Sequence, residues 1–171
     1  MATTEIILRR AAEADAAAAW RILDAARRRM LEAGKRQWSM TYPSQANVGA
    51  DIASDAAMVA VGQGGGIVGY CCAPLTGEPA YDALEGEWIT DGPYLTVHRL
   101  AVAPSALRRG VARAMMRLLE DHARDCAMRS IRVDTNYDND AMLRMLASLG
   151  YARCGTVRYP SGERIAFEKP L

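Results

Sequence analysis

Residues 94–117 read YLTVHRLAVAPSALRRGVARAMMR, from Tyr94 to Arg117. The first ten, 94–103, are rich in β-branched and apolar residues and read as a strand. Pro104 ends it, because proline has no amide hydrogen to give a sheet. Gly110 then opens a helix to about Ala127, with Val111, Met115, Leu118, Leu119, His122 and Cys126 near one stripe. The first turn of such a helix presents unpaired backbone N–H groups at the positive end of its dipole. Gly110 and Ala112 carry little or no side chain, so a phosphate can reach that backbone. Arg108, Arg109 and Arg113 add charge. A strand, a turn of this kind and a helix together make an anion site. Three surface arginines beside a glycine-started helix would give the same string, so geometry alone leaves both readings open.

Working outward, residues 5–10 form a first strand and Asp15 caps a helix to about Glu32, stopped by Gly34. Arg27, Arg28 and Arg29 point to different sides of that helix and read as a solvated face. Residues 36–44 are a loop and 45–54 a short helix. Strands 57–61 and 67–73 flank Gly62-Gln63-Gly64-Gly65-Gly66. That run lacks the Lys-Ser/Thr of a phosphate loop and leads into a strand, so it reads as a hairpin turn. Residues 75–93 read as one long loop with Glu78, Asp82, Glu85, Glu87 and Asp91 and no Lys or Arg. Loops this long in a compact domain are often functional. Residues 131–135 form a strand and 139–149 a helix ended by Gly150. Strands 152–158 and 164–168 flank a Ser161-Gly162 turn. The order is β α α β β β α β α β β, without internal repeats.

With 171 residues, the chain is expected to be one domain, 1–171. Net charge is +1, which argues against a general attraction to nucleic acid or anionic membrane. No basic stretch carries interleaved stacking aromatics, so a DNA-binding reading is weak. Apart from Lys35 and Lys169 the 21 basic residues are all arginine, a bias that mainly reflects genome composition. Cys71, Cys72, Cys126 and Cys154 show no C-x-x-C spacing, and with only two histidines no metal is expected. The cysteine content fits a reducing cytoplasm, and no apolar run reaches the roughly 20 residues of a membrane span.

The segment also resembles the signature of the GCN5-related N-acetyltransferases. Their acetyl-CoA motif is Gln/Arg-x-x-Gly-x-Gly/Ala after a strand ending Ala-Val-x-Pro. Here Ala101-Val102-Ala103-Pro104 precedes Leu107-x-x-Gly110-x-Ala112. Leu107 departs from the pattern, and Arg108 or Arg109 is placed to compensate. Asn139 followed by Leu149-Gly150-Tyr151 is similar to the family's Asn…Leu-Gly-Phe block, whose Asn touches the cofactor arm. Asn139 also suits a helix N-cap. Arg36-Gln37-Trp38 with Tyr42-Pro43, and the segment Ser161–Lys169, resemble one branch of small bacterial acetyltransferases.

The resemblance implies a single-domain α/β acyl-CoA N-acyltransferase fold. Its mixed, mostly antiparallel sheet would splay between the 95–102 and 131–135 strands and carry helices on both faces. It implies acetyl-CoA as co-substrate, with Leu100, Ala101, Val102, Arg108, Arg109, Gly110, Val111, Ala112, Arg113 and Asn139 as cofactor-binding residues. Backbone N–H groups near Leu100–Val102 would polarise the thioester carbonyl. The acceptor would be a primary amine of a small molecule or peptide, attacked directly in a ternary complex. Dimers are frequent in the family, which admits a homodimer. The different-class alternative is an acyl-CoA sensor without catalysis. It is favoured by Leu107, and by Leu146 where the family often has a tyrosine acid.

An amine must be neutral to attack. From a pKa near ~10.4, deprotonation at pH 7 costs about 4.6 kcal/mol, so a base helps. Strand alternation puts Thr96, His98 and Leu100 on one face. His98 matches the histidine of the arylalkylamine branch and is the candidate base or relay; a sheet-ordering histidine is the alternative. Thr96 stands where histone acetyltransferases have a glutamate and cannot act as a base. Tyr137 and Tyr159 are candidate replacement acids, with a packing or rim role the alternative for each. Cys71 and Cys72 read as buried small apolar residues. The 75–93 segment, with Glu87, would attract a cationic amine, and Trp38, Tyr42 and Trp88 could wall its site.

Overall fold

The computed structural model describes residues 4–171. Eight strands and four α-helices are present: β1 Ile6–Arg10, α1 Ala16–Glu32, α2 Gln45–Ala53, β2 Ala57–Gly62, β3 Ile67–Cys72, β4 Glu85–Gly86, β5 Tyr94–Val102, α3 Val111–Asp125, β6 Ser130–Thr135, α4 Asp140–Ser148, β7 Ala152–Tyr159 and β8 Gly162–Pro170. Strand order is β1-β2-β3-β5-β6-β8-β7-β4. Pairs β1/β2, β2/β3, β6/β8, β7/β8 and β4/β7 are antiparallel, while β5 and β6 run parallel. This is the mixed, mostly antiparallel α/β sheet expected. The β5/β6 register runs from Tyr94↔Ser130 to Val97↔Val133 and stops there, although β5 continues to Val102. No helix among the described residues is long and apolar enough to cross a membrane.

The chain divides into two compact units. The first runs from the N-terminus to Ala73 and takes in Arg99–Leu119; the second comprises Pro74–His98 and Glu120–Leu171. In the first unit α1 packs on β3 and α2. Ala19, Ile22, Leu23 and Ala26 form its buried stripe. Arg27 lies in that stripe and is buried, which corrects the solvated reading of the Arg27–Arg29 run. Its guanidinium donates to the carbonyls of Ser39 and Met40 at 3.2 and 2.9 Å and to Asp24 at 2.7 Å. An arginine can be buried here because each of these acceptors replaces a water. Asp15 does not cap α1 through its side chain; its carboxylate accepts the Ala12 N–H and pairs with Arg9 at 2.7 Å.

In the second unit the faces of β5 and β6 differ sharply. One carries Leu95, Val97, Ile131 and Val133, all buried. The other carries Tyr94, Thr96, His98, Ser130, Arg132 and Asp134. The 75–93 segment is more ordered than a plain loop. It contains a 3-10 turn, Pro79–Ala83, and strand β4. The two backbones of β4 and β7 approach so closely that a Cβ on Gly155, at φ +153°, would sit 2.1 Å from the Glu85 carbonyl oxygen. Only glycine permits that contact, and a glycine at this place gives no periodic signal in a sequence.

Candidate functional site

Strand β5 does not alternate throughout. Arg99 has φ +54°, the left-handed region that a non-glycine residue rarely adopts. The face pattern therefore breaks at Arg99, so simple alternation does not carry from His98 to Leu100. The cause lies in the first unit. Arg99 Nη2 and Nε donate to the two oxygens of buried Asp51, at 2.5 and 3.1 Å, and Nη1 donates to the Tyr42 hydroxyl at 2.9 Å. Tyr70, fully buried on β3, donates to the same Asp51 carboxylate. A bidentate arginine–carboxylate pair of this geometry is strong enough to hold a strained backbone. Asp51 and Arg99 are 48 positions apart in the chain, so no local sequence signal joins them.

Beyond β5 the first unit makes the turn expected to bind an anion. Arg108 at φ +61° and Gly110 at φ +77° bend the chain into α3. Arg108, Arg109 and Gly110 are exposed, Ala112 and Arg113 half-buried, and Val111 buried. A Cβ on Gly110 would meet nothing nearer than Thr4 Oγ1 at 4.0 Å. The backbone there is open to an approaching ligand, and α3, 15 residues long, turns its N-terminal N–H groups toward this turn. Leu100 is half-buried, and Ala101 and Val102 are buried on β5. These residues fit a pyrophosphate-bearing coenzyme: backbone donors, a helix N-terminus and fixed cations of opposite sign.

The second unit holds His98 and its hydrogen-bond partners. His98 Nε2 lies 3.0 Å from Glu78 Oε2. An ionised carboxylate only accepts, so Nε2–H is the donor in this contact. Glu78 is itself ordered: its backbone N–H donates to the Tyr94 hydroxyl, and its other oxygen accepts the Ala80 N–H at 3.2 Å. In the sequence Glu78 is one acid among five in its segment, with nothing to single it out. Tyr81 and Tyr159 donate to Asp134 at 2.8 and 2.7 Å, a trio without any sequence signal. Burial first, then the Asp134 charge, raises the Tyr81 hydroxyl well above its ordinary pKa, so it stays a donor.

The remaining candidates are scattered. Tyr137 is exposed, its hydroxyl 3.4 Å from that of Thr156. Asn139 caps α4, its side chain accepting the Met142 N–H at 3.3 Å. Glu87 is exposed, and Trp38 is buried in the first unit. Tyr42 is 41% exposed and held by Arg99. Trp88 is half-buried, donates to the Tyr81 carbonyl and stacks 4.3 Å from the Arg132 guanidinium. Leu146 is fully buried. Burial pushes the Cys72 thiol up to about 12 and that of Cys71 higher still, which leaves both un-ionised. Among the described residues no group of three or more His, Cys, Asp or Glu could hold a metal ion.

The model of the Acetyltransferase (GNAT) family matches residues 18–151. The chain belongs to the GNAT acetyltransferase family. A crystal structure of a GNAT-family acetyltransferase from Streptococcus agalactiae is 30% identical, with a TM-score of 0.87 over 97% of this chain and 95% of that one. A GNAT-family acetyltransferase from Listeria monocytogenes is 20% identical, with a TM-score of 0.77 over 98% and 96%. The ribosomal-protein-S18-alanine N-acetyltransferase of Escherichia coli shares the fold at 15% identity and a TM-score of 0.66, over 98% and 94%. A search of curated proteins finds no match. In this GNAT chain the glycine turn stands between β5 and α3, where the sequence signature puts it.

Proposed function

We propose that residues 1–171 act as one acetyltransferase domain that moves the acetyl group of acetyl-CoA to a primary amine by direct attack. The observation that carries this reading is the turn Arg108–Arg113, an exposed cationic helix N-terminus that follows β5. Backbone N–H groups of Val111–Arg113 and the side chains of Arg108, Arg109 and Arg113 would hold the pyrophosphate. Leu100–Val102 would direct backbone donors to the thioester carbonyl, a task that needs pre-aligned dipoles more than particular side chains. Asn139 would reach the coenzyme arm while capping α4.

The thioester supplies the acetyl group and a thiolate leaving group. His98 takes the amine proton at Nδ1, and Glu78 stabilises the imidazolium through Nε2–H, as a carboxylate behind a histidine base does. The amine lone pair forms the C–N bond, and the C–S bond breaks. Tyr137 would return a proton to the sulfur, because buried Leu146 has none to give. The un-ionised Cys71 and Cys72 support transfer without a covalent enzyme intermediate. Glu87 and Trp88 are the candidate acceptor residues of the second unit in this reading and Tyr42 that of the first, while Trp38 is buried.

The test is thiol release from acetyl-CoA across an amine panel. His98→Ala should lower kcat/KM by about 10²–10⁴-fold at neutral pH and by much less at pH 9, where more of the amine is already neutral. Equal loss at both values would make His98 a structural residue. Leu146 favours a second reading, a coenzyme sensor. Tight acetyl-CoA binding with no turnover across the panel would select it.

A further inference from the structure

The polar face of β5 and β6 in the second unit has a closed part and a part in which acceptors are left over. In the closed part every group is answered. Fully buried Glu168 accepts from Ser130 and Thr90 hydroxyls at 2.6 Å each, from the Ile89 N–H at 2.5 Å and from Arg132 Nε at 3.1 Å. Burial works to raise this carboxyl, yet those donors outweigh it and leave the pKa below the ordinary value. The Arg132 guanidinium lies between the rings of Trp88 and Tyr94, at 4.3 and 4.1 Å.

Further along the same face the pattern changes. Tyr81 and Tyr159 both donate to Oδ2 of Asp134, and Oδ1 takes neither. Thr96 is fully buried between Tyr94 and His98 on that face, in register with Arg132, and its hydroxyl has no hydrogen-bond partner. A buried hydroxyl without a partner costs about 1–3 kcal/mol and calls for an explanation. The surroundings are aromatic: Tyr81 stands 6.0 Å from Tyr94 and 5.1 Å from Trp88, centroid to centroid. They are also acidic. Glu78 and Asp134 face this region, the covering segment 75–93 has no Lys or Arg, and Arg132 is already neutralised by Glu168. Carboxylates, a spare hydroxyl acceptor and tyrosine faces suit a cation on a slim apolar arm.

We propose that Asp134 Oδ1 and Thr96 Oγ1 receive the ammonium group of a short aliphatic diamine, whose other nitrogen is the one acetylated. This rests on the reading of His98 as the proton acceptor. The attacking nitrogen must be neutral, so a carboxylate that binds a charged nitrogen binds a different one. A diamine supplies both: one nitrogen surrenders its proton to His98, and the other stays protonated against Asp134. Tyr81 and Tyr159 hold the carboxylate in place, and Asp134 and Thr96 act as specificity residues.

The test is calorimetric titration of the protein with 1,4-diaminobutane and with butylamine. The wild type should bind the diamine at least about tenfold more tightly, as expected for a charge-assisted hydrogen bond. Asp134→Asn should abolish the preference, and Thr96→Val should reduce it several-fold. The amide introduced by Asp134→Asn keeps an oxygen for both tyrosines, and near-ultraviolet circular dichroism checks that the fold survives. Tyr159→Phe is the second variant. It removes one of the donors that hold the carboxylate and leaves its charge, so the preference should fall by less than in Asp134→Asn. Equal affinity for both amines, a preference intact in Asp134→Asn, or a loss in Tyr159→Phe as deep as in Asp134→Asn would overturn the proposal. Thiol release measured alongside separates the two readings. Asp134-dependent diamine binding without acetylation keeps the cation site and removes the transferase. Acetylation of both amines at rates indifferent to Asp134→Asn keeps the transferase and removes the cation site.

Discussion

Asp51 neutralises Arg99, accepts from Tyr70 and through Arg99 holds Tyr42. Both members of the ion pair are largely buried, with side-chain exposures of 13% for Arg99 and 8% for Asp51. Burying charges is costly, and a matched pair offsets the cost only while both partners remain. Asp51→Ala therefore leaves a buried guanidinium alone and removes the contact that keeps Arg99 left-handed. The expected loss is about 3–5 kcal/mol, or a fall in melting temperature of roughly 10 °C for a chain of this size. Asp51→Asn should lose less, because its amide oxygen still accepts from Arg99. A melting temperature unchanged by either substitution would mean that the left-handed turn at Arg99 holds its shape without the pair. Because Arg99 sits between His98 and Leu100, the Asp51→Ala enzyme should also lose activity at temperatures well below its melting point.

At the scale of elements, the helix that opens with the cationic turn owes its seat to a missing side chain. In the first unit, Gly69 of β3 faces Met115 of α3. A Cβ at Gly69 would lie 2.5 Å from the Met115 sulfur, and Met115 is fully buried. Gly69→Ala should cost about 1–3 kcal/mol through overpacking and weaken acetyl-CoA binding by displacing the first turn of α3. Met115→Ala alone opens a cavity, yet the double variant should recover part of the Gly69→Ala loss. A denaturation cycle over the four proteins measures that coupling. Strict additivity would show that α3 does not rest on Gly69. The strands and helices themselves were legible in the sequence, because hydrophobic period and Gly or Pro stops are local signals. Gly110 and the arginine turn were legible for the same reason. The left-handed backbone at Arg99, the burial of Arg27, the β4 contact with β7 and the Tyr81–Asp134–Tyr159 trio were not. Each joins residues that are distant in the chain, through groups that periodicity reads as surface. His98 is a candidate by its place on a strand and its match to the arylalkylamine branch, whereas its partner Glu78 lay hidden among five acids of a segment that looked irregular.

For the molecule as a whole, a net charge of +1 conceals two local fields of opposite sign. The first unit exposes Arg108 and Arg109 at its turn; the second carries the acidic 75–93 segment, of which Glu85 is answered by Arg158 at 2.7 Å. A substrate responds to the field where it lands, not to the total, and salt screens that field within about 10 Å at 0.1 M. Both Michaelis constants should therefore rise with ionic strength, although the protein is almost neutral. Between about 20 and about 300 mM NaCl the KM for acetyl-CoA should climb several-fold, since polyanion contacts to arginine are strongly screened. The KM for a cationic amine should climb too, while the thiol-release rate at saturation stays level. Charge reversal separates the two fields. Arg109→Glu with Arg113→Glu should raise the acetyl-CoA constant at low salt and flatten or invert its salt dependence, and leave that of the amine as it was. If both constants ignored salt in the wild type, the arginine turn would be surface decoration. If the double variant shifted the amine's dependence equally, the two fields would not be separate.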